Sequence, residues 1–167
     1  KKLKNKFKCM FSILAITDNK LSSINQCNSI IYELKRISEK KIVVKYMKVY
    51  LGLLAYLPNS FIYFFLRIRY LLQPRKKIDF IISCGRISAP FNLVFKKNSN
   101  AKNCHILNPY FKKYEFDKII MPEHDIKKET DKNVISTFGT LVDLTMFKKG
   151  SHKVLKLLNK KKKKFYF

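Results

Sequence analysis

The chain has 167 residues, a length that suits one ordinary domain with a full core and leaves little room for two. Its composition is 47% hydrophobic and 14% aromatic, which excludes a largely disordered protein. The formal net charge of +25 attracts anionic partners, whether nucleic acid, anionic lipid or a phosphorylated metabolite. Most of this charge is lysine in a chain also rich in Asn and Ile, so AT-rich coding is an alternative explanation of it.

The order of apolar and polar segments predicts one α/β domain over residues 10–148, between a basic segment at 1–9 and a basic tail at 149–167. The apolar run 10–16 is typical of an inner parallel strand, and 24–37 places its apolar residues at helical spacing. Alternating strands and helices predict a Rossmann-like, mostly parallel sheet with helices on both faces. Further strands are predicted at 42–49, 79–84, 103–107, 118–121 and 133–137, and a further helix at 88–95.

The stretch 51–72 is the most apolar of the chain, but Pro58-Asn59 interrupts it and Arg67 and Arg69 lie near its end. A membrane-spanning helix needs about 20 predominantly apolar residues, and central charges are costly in it. Two interpretations stay open: helices packed against the sheet, or an interfacial element that enters lipid. The aromatic residues concerned are Phe61, Tyr63, Phe64, Phe65 and Tyr70.

The cysteines and the two ends of the chain indicate a cellular compartment. Cys9, Cys27, Cys84 and Cys104 form no C-x-x-C pair, so we expect reduced thiols in a cytoplasmic protein, peripheral on the inner membrane if 51–72 contacts lipid. The basic and apolar start lacks the small-residue cleavage site of a signal peptide. The lysine run 160–164 is either an anion-binding tail or a ragged end where an adenine tract lets the reading frame slip. We expect the second, in a chain shortened relative to its relatives.

Ligands of open α/β sheets bind beyond the carboxyl ends of the strands, where three predicted loops carry polar residues. Residues 17–20 follow the first strand, with Asn25-Gln26 at the next helix. Gly85 and Arg86 follow the third strand, and Ser88 can cap the helix that comes next. The free backbone amides at the start of this helix, together with Arg86, predict a site for phosphate or carboxylate. A plain turn with a surface arginine is the alternative. The third loop is 122–125.

The loop 122–125 carries the best candidate for acid–base chemistry. His124 lies between Glu123 and Asp125, and an imidazole beside carboxylates suits proton transfer from an acceptor hydroxyl. It could equally orient the loop through backbone hydrogen bonds. His105 and His152 show no ligand spacing with it, so no metal site is predicted.

The segment 133–141 places small polar residues and a glycine after the last predicted strand. Gly139 there would allow a ligand or a neighbouring loop to approach the backbone closely. No G-x-G-x-x-G and no P-loop occur in the sequence, so NAD and FAD are not expected.

A set of short motifs follows one another over residues 10–148. The motifs are Thr17-Asp18 with Asn25-Gln26, Ser83-Cys84-Gly85-Arg86 with Ala89-Pro90, Asn108-Pro109, Phe116-Asp117, Pro122-Glu123-His124-Asp125 and Asn133-Val134-Ile135 with Gly139. In order and approximate spacing this set resembles the mitochondrial-fission family of the elongated-mitochondria type, a family of bacterial and plant proteins. The loop with His124 and Asp125, followed by the Asn-Val-Ile and Gly stretch, is the most specific part.

This resemblance implies a glycosyltransferase-like protein of the two-domain GT-B class, whose amino-terminal Rossmann-like domain holds the acceptor. It implies His124 and Asp125 as catalytic residues on a lipid or envelope saccharide acceptor. It implies no cofactor in this chain, because the nucleotide-sugar donor binds a carboxyl-terminal domain that we expect to be missing, which would leave the isolated chain inactive. The implied substrate-binding residues are Asp18, Gln26, Gly85, Arg86, Asn133 and Gly139.

A non-enzymatic interaction protein is the alternative function. It would dock on an anionic lipid surface through residues 51–72 and the lysine excess. No specific nucleic-acid partner is expected, because the chain lacks an aromatic-basic recognition motif.

Overall fold

The computed structural model describes residues 10–71, 73–74, 77–126, 132–139 and 141. The predictions for 1–9, for the tail at 149–167, for Cys9 and for His152 lie outside the described residues. In the described ranges the chain forms six strands and three α-helices. The strands are β1 (Met10–Thr17), β2 (Lys41–Lys48), β3 (Phe80–Cys84), β4 (Lys102–Ile106), β5 (Lys118–Pro122) and β6 (Val134–Thr137), and the helices are α1 (Leu21–Ile37), α2 (Asn59–Leu71) and α3 (Ala89–Ser99).

The strands form one sheet in the order β2-β1-β3-β4-β5-β6, and each neighbouring pair is parallel. The chain first runs outward from β1 to β2, then crosses back to β3 and continues in the other direction. The strand order therefore reverses between β1 and β3, which is the topological switch point of a doubly wound sheet. The Rossmann-like α/β fold expected from the sequence is confirmed.

Both faces of the sheet are covered, which explains why its inner strands are continuous apolar runs. In β1, Ile13 and Ala15 pack on the α1 side, whereas Leu14 and Ile16 pack on the side of α2 and α3. A third cluster, around Phe116, closes the core beneath the connection from β4 to β5. The helices thus form one layer on each side of the sheet.

Two helix starts differ from the sequence-based prediction. α1 begins at Leu21 rather than at residue 24. Its first turn contributes no apolar periodicity, because Leu21 is 72% exposed and the buried residue of this turn, Ser23, is polar. The expected capping role of Ser88 is wrong. Its hydroxyl donates hydrogen bonds to the carbonyls of Cys84 (2.9 Å) and Gly85 (2.7 Å), because the buried turn needs donors there. Pro90 lies in the first turn of α3, as predicted.

The apolar stretch after β2 contains a 3-10 helix, Gly52–Tyr56, followed by α2. None of the helices in the described part of the chain is long and apolar enough to cross a membrane. Ile62 of α2 is buried in the core, and the Asn59 amide anchors the start of this helix by donating to the Arg86 and Pro109 carbonyls. The opposite side of α2 leaves large apolar residues exposed: Phe61, Phe64, Phe65 and Ile68.

Candidate functional site

The parallel sheet brings the loops after its strands to one edge, which we call the carboxyl edge. Asp18 follows β1, Gly85 follows β3, His124 follows β5 and Gly139 follows β6. Strands lie about 4.8 Å apart, so β1 and β5, with two strands between them, are separated by about 14 Å. Asp18 and His124 therefore lie apart along this edge and not in one compact cluster.

Asp18 and Gly85 meet at the switch point. Gly85 is buried with φ +93°, and a Cβ placed on it would lie 2.7 Å from Oδ2 of Asp18. The Asp18 side chain is 9% exposed, and its Oδ1 accepts a hydrogen bond from the Lys20 amide at 3.3 Å. The turn expected to bind an anion thus lies against a carboxylate of the protein itself. The carboxylate accepts hydrogen bonds and donates none, and Nζ of Lys20 lies 3.9 Å from its Oδ2.

Arg86 is tied to a different element. Its guanidinium donates to the carbonyl of Ala55, in the 3-10 helix after β2. Its own carbonyl accepts the Asn59 amide at 3.1 Å. Arg86 therefore connects the switch-point turn to the start of α2, and no contact with Asp18 is seen in the described residues.

Gln26 lies in the first half of α1 and is 6% exposed. Its Oε1 is buried and has no hydrogen-bond partner among the described residues. A buried acceptor without a partner is costly, so Gln26 has hydrogen-bonding capacity that the described part of the fold does not use.

His124 and Asp125 lie in a short 3-10 turn, Glu123–Asp125, directly after β5. The His124 side chain is 76% exposed, and its Nε2 lies 3.9 Å from Oδ1 of Asp125. An exposed imidazole beside a carboxylate is free to meet a substrate at this edge. The geometry is compatible with the proton-transfer role, which stays a prediction.

Asn133 and Gly139 lie at opposite ends of β6. Asn133 precedes the strand, and its amide donates to the carbonyls of Lys113 (2.8 Å) and Phe116 (2.9 Å). Gly139 follows the strand, and a Cβ placed on it would meet no atom within 4 Å. The structure thus brings Asp18, Gly85, His124, Asp125 and Gly139 to the carboxyl edge and separates Asn133 from them.

Left-handed backbone conformations are frequent at the carboxyl edge. Asn19 after β1 has φ 65°, and Leu107 and Tyr110 after β4 have φ 72° and 50°. Such conformations cost of order 1–3 kcal/mol per residue outside glycine and concentrate at functional sites. Asn100 (φ 57°), which ends α3 before β4, and Lys112 (φ 40°), in the connection from β4 to β5, share this conformation, so it is not confined to the carboxyl edge.

A buried polar cluster on the α3 side of the sheet was not anticipated from the sequence. It consists of Ser83, Asn92, Asn103 and His105, all with 0% exposure. The Asn92 amide donates to Ser83 Oγ (2.6 Å) and to the Cys104 carbonyl (3.0 Å), and Asn103 donates to Asn92 Oδ1 (2.6 Å). Ser83 Oγ lies 2.7 Å from Nδ1 of His105.

This polar cluster fastens α3 to β3 and β4 and lies too deep to touch a substrate. It continues to Asp117, whose amide and carboxylate form reciprocal hydrogen bonds with Asn103, both at 2.8 Å. Its sequence signal is weak: Ser83, Asn103 and His105 are polar residues at core positions of short strands. Nothing in the sequence alone pairs residues that lie about twenty positions apart.

We expect the stability of the protein to fall as the pH decreases below about 6.5. Burial lowers the pKa of His105 from 6.5 to about 3. Between these values the unfolded state binds one proton more than the folded state, so stability decreases with falling pH by up to about 1.4 kcal/mol per pH unit. Urea unfolding at several pH values between about 7 and 5 measures this slope above the range where most carboxylates titrate.

The substitution His105→Gln should flatten that slope while lowering stability at neutral pH. Asp117 provides a separate contribution at lower pH. Its partial burial would raise its pKa, but the Asn103 amide and Lys96 together hold the pKa below its usual range. A wild-type stability that does not change between about pH 7 and 5 would contradict a neutral, buried His105.

No curated protein and no solved structure matches the chain. A family model does match, the one described as Mitochondrial fission ELM1, over residues 23–166. The match begins and ends later than the resemblance over residues 10–148, so it includes Gly85 and His124 but not Asp18. Because it covers most of the sequence, the chain belongs to the mitochondrial fission ELM1 family.

Proposed function

We propose that this domain is the acceptor-side domain of a GT-B-like, nucleotide-sugar-dependent transferase acting on a lipid or envelope saccharide. The observation that carries the proposal is the contact between the Asp18 carboxylate and Gly85 at the switch point. Ligands of doubly wound sheets bind at this place, and a carboxylate there accepts hydrogen bonds from sugar hydroxyls. Family membership supports the assignment, whereas the fold alone does not determine the reaction.

His124 and Asp125 are the proposed reacting and orienting groups. The oxygen of an acceptor hydroxyl attacks the anomeric carbon of the donor while His124 accepts the proton of that hydroxyl. The nucleoside diphosphate leaves with the electrons of the bond that breaks. Asp125, whose Oδ1 lies 3.9 Å from Nε2 of His124, is proposed to orient the imidazole. Asp18, Gln26 and Gly85 are proposed to hold the acceptor, with Gly139 bounding the far end of the edge.

A transfer assay tests this function in a longer member of the family that also carries a nucleotide-sugar-binding domain. Radiolabelled nucleotide-sugars are supplied with a membrane lipid extract, and label in the lipid fraction is counted. The change matching His124→Ala should lower turnover by about 10²–10⁴-fold, the usual effect of losing a general base.

The matched control for the transfer assay is Lys118→Ala. Lys118 is exposed at the other end of the same strand, β5, so its loss should leave turnover unchanged. Equal turnover of the wild type and the His124 variant would refute the proposed role of His124.

A second candidate is a non-enzymatic protein docked at the cytoplasmic surface of an inner membrane. The exposed apolar side of α2 favours it, because Phe64 and Phe65 are 60% and 62% exposed beside Arg67 and Arg69. Co-sedimentation with anionic vesicles, lost at high salt, would support such docking. Absence of binding to these vesicles at low salt would reject this second candidate function.

A further inference from the structure

β2 is an outer strand of the sheet, with β1 as its neighbour on one side and an open side opposite. It has eight residues, whereas β6, the outer strand at the other end of the described sheet, has four. The Val49 amide donates to the Thr17 carbonyl at 2.7 Å, so the odd-numbered residues of β2 direct their backbone groups to β1. The residues between them direct their N–H and C=O groups to the open side. These residues are Ile42, Val44, Tyr46 and Lys48.

Exposed lysines follow one another along β2. Lys41, Lys45 and Lys48 are exposed, and none of them lies within ion-pair distance of a carboxylate of the described residues. The register places Lys41 and Lys45 on the side of α2 and Lys48 on the side of α1. Lysines on an outer strand prevent pairing with basic or neutral strands, whereas an acidic strand would neutralise them. The net charge of +25 also disfavours a second copy of this chain and favours an acidic partner.

An apolar groove lies beside β2 on the side of α2. Its volume is about 650 Å³, and it is lined by Met47 and Val49 from the end of β2 and by Phe65 and Leu66 from α2. Lys48 borders the groove as well, and because its side chain lies on the side of α1, it contributes its backbone. A strand added on the open side of β2 would place the side chain opposite Met47 at this groove.

These features select one kind of partner, because outward backbone groups pair with an extended chain, lysines with acidic side chains and the groove with an apolar side chain. We propose that the open side of β2 binds an extended acidic segment of another protein, which adds to the sheet as a further strand. On the side of α2 this segment carries acidic residues opposite Lys41 and Lys45 and an apolar residue opposite Met47. Such binding is independent of the transferase function proposed above.

Amide hydrogen exchange of the isotope-labelled protein tests the added strand. The probes are two peptides with the eight-residue length of β2, one the reverse of the other, so that both strand directions are covered. Each carries glutamate opposite Lys41 and Lys45, leucine opposite Met47, and threonine elsewhere. One of them should slow exchange by about tenfold or more at the amides that face the open side, and much less at the alternate amides that already donate to β1. Protection that does not alternate along β2, or no protection with either peptide, would overturn the proposal.

Two control peptides separate the backbone and the charge contributions. The first has methyl groups on the peptide nitrogens that face β2, and it should not bind, because it cannot donate hydrogen bonds to the strand. The second has lysine in place of each glutamate, and it should not bind either, because like charges then lie opposite each other. Protection of β2 by either control equal to that by the acidic peptide would overturn the proposal.

Charge substitutions in the protein test the position of the acidic residues. The double variant K41E/K45E should bind the peptide about 10-fold more weakly, because two opposite-charge pairs become like-charge pairs. K41Q/K45Q, which removes these charges without reversing them, should lie between this variant and the wild type. The control K35E/K118E makes the same change of net charge at exposed positions on α1 and at the start of β5, and it should bind almost as the wild type does.

Two outcomes assign the binding to another cause. Equal losses in K41E/K45E and K35E/K118E would show attraction by net charge alone and would overturn the proposal. A dimer of the protein in sedimentation equilibrium that the peptide dissociates would assign the open side of β2 to a second copy of the chain, and it would overturn the proposal as well.

Discussion

Gly85→Ala should destabilise the protein by about 3 kcal/mol or more, from backbone strain and steric contact together. Gly85 has φ 93° and ψ 148°, a region that residues with a Cβ rarely occupy. A Cβ there would also lie 2.7 Å from Oδ2 and 2.8 Å from Cγ of Asp18. Urea unfolding followed by circular dichroism measures the loss as a lower midpoint with an unchanged slope.

The two causes can be separated with a second substitution. Asp18→Ala in the Gly85→Ala background removes the close contact but leaves the unfavourable φ, so it should restore part of the lost stability. Gly139→Ala is the matched control, because its Cβ would meet no atom within 4 Å, and it should change stability by less than about 0.5 kcal/mol. A Gly85→Ala variant as stable as the wild type would contradict the contact at the switch point.

Asn92→Leu should destabilise the protein by about 4 kcal/mol, although leucine has a similar volume. The change leaves the Cys104 carbonyl and the Asn103 amide without their partners in a fully buried place. Each unpaired buried group costs about 1–3 kcal/mol. The loss is again measured by urea unfolding.

The control for Asn92 is Asn98, on the same helix. Its amide donates to the Tyr70 carbonyl at 3.1 Å from a half-buried position, where water can replace the lost bond. Asn98→Ala should therefore cost about 1 kcal/mol. Similar losses at both positions would contradict a polar cluster that holds α3 on the sheet.

The strands could be predicted closely from the sequence because helices cover both faces of this sheet. Residues 10–16 and 118–121 are largely apolar and 42–49 is rich in β-branched residues, and each coincides with an observed strand to within a residue or two at either end. Hydrophobic patterning was less informative where burial is uneven. It missed the first turn of α1, where Leu21 is exposed and the buried residue is the polar Ser23, and it could not separate the packed side of α2 from the exposed one.

The candidate site was predictable where it depends on topology alone. Parallel strands necessarily place the loops with Asp18, Gly85 and His124 at one edge. The partners of individual side chains were not predictable, because they depend on contacts between distant segments. Arg86 binds Ala55, and Asn133 binds the carbonyls of Lys113 and Phe116 at the amino ends of the strands.

The polar cluster illustrates the same limit inside the core. Ser83, Asn103 and His105 each interrupt a short apolar strand and carry no motif that distinguishes a structural residue from a catalytic one. Their burial and mutual hydrogen bonds, visible after folding, assign them to stability. Among the histidines of the described chain, His124 is exposed at the site and His105 is enclosed.

The most direct test of the acceptor site at the carboxyl edge is amide chemical-shift mapping of the labelled protein. A lipid-linked saccharide is titrated in detergent, with the detergent alone as the reference. We expect shifts at Asn19, Gly85 and His124, and none at Lys113 and Asn133 at the amino ends of the strands. Shifts that cluster around Lys113 and Asn133, with the carboxyl edge unchanged, would contradict the proposed site.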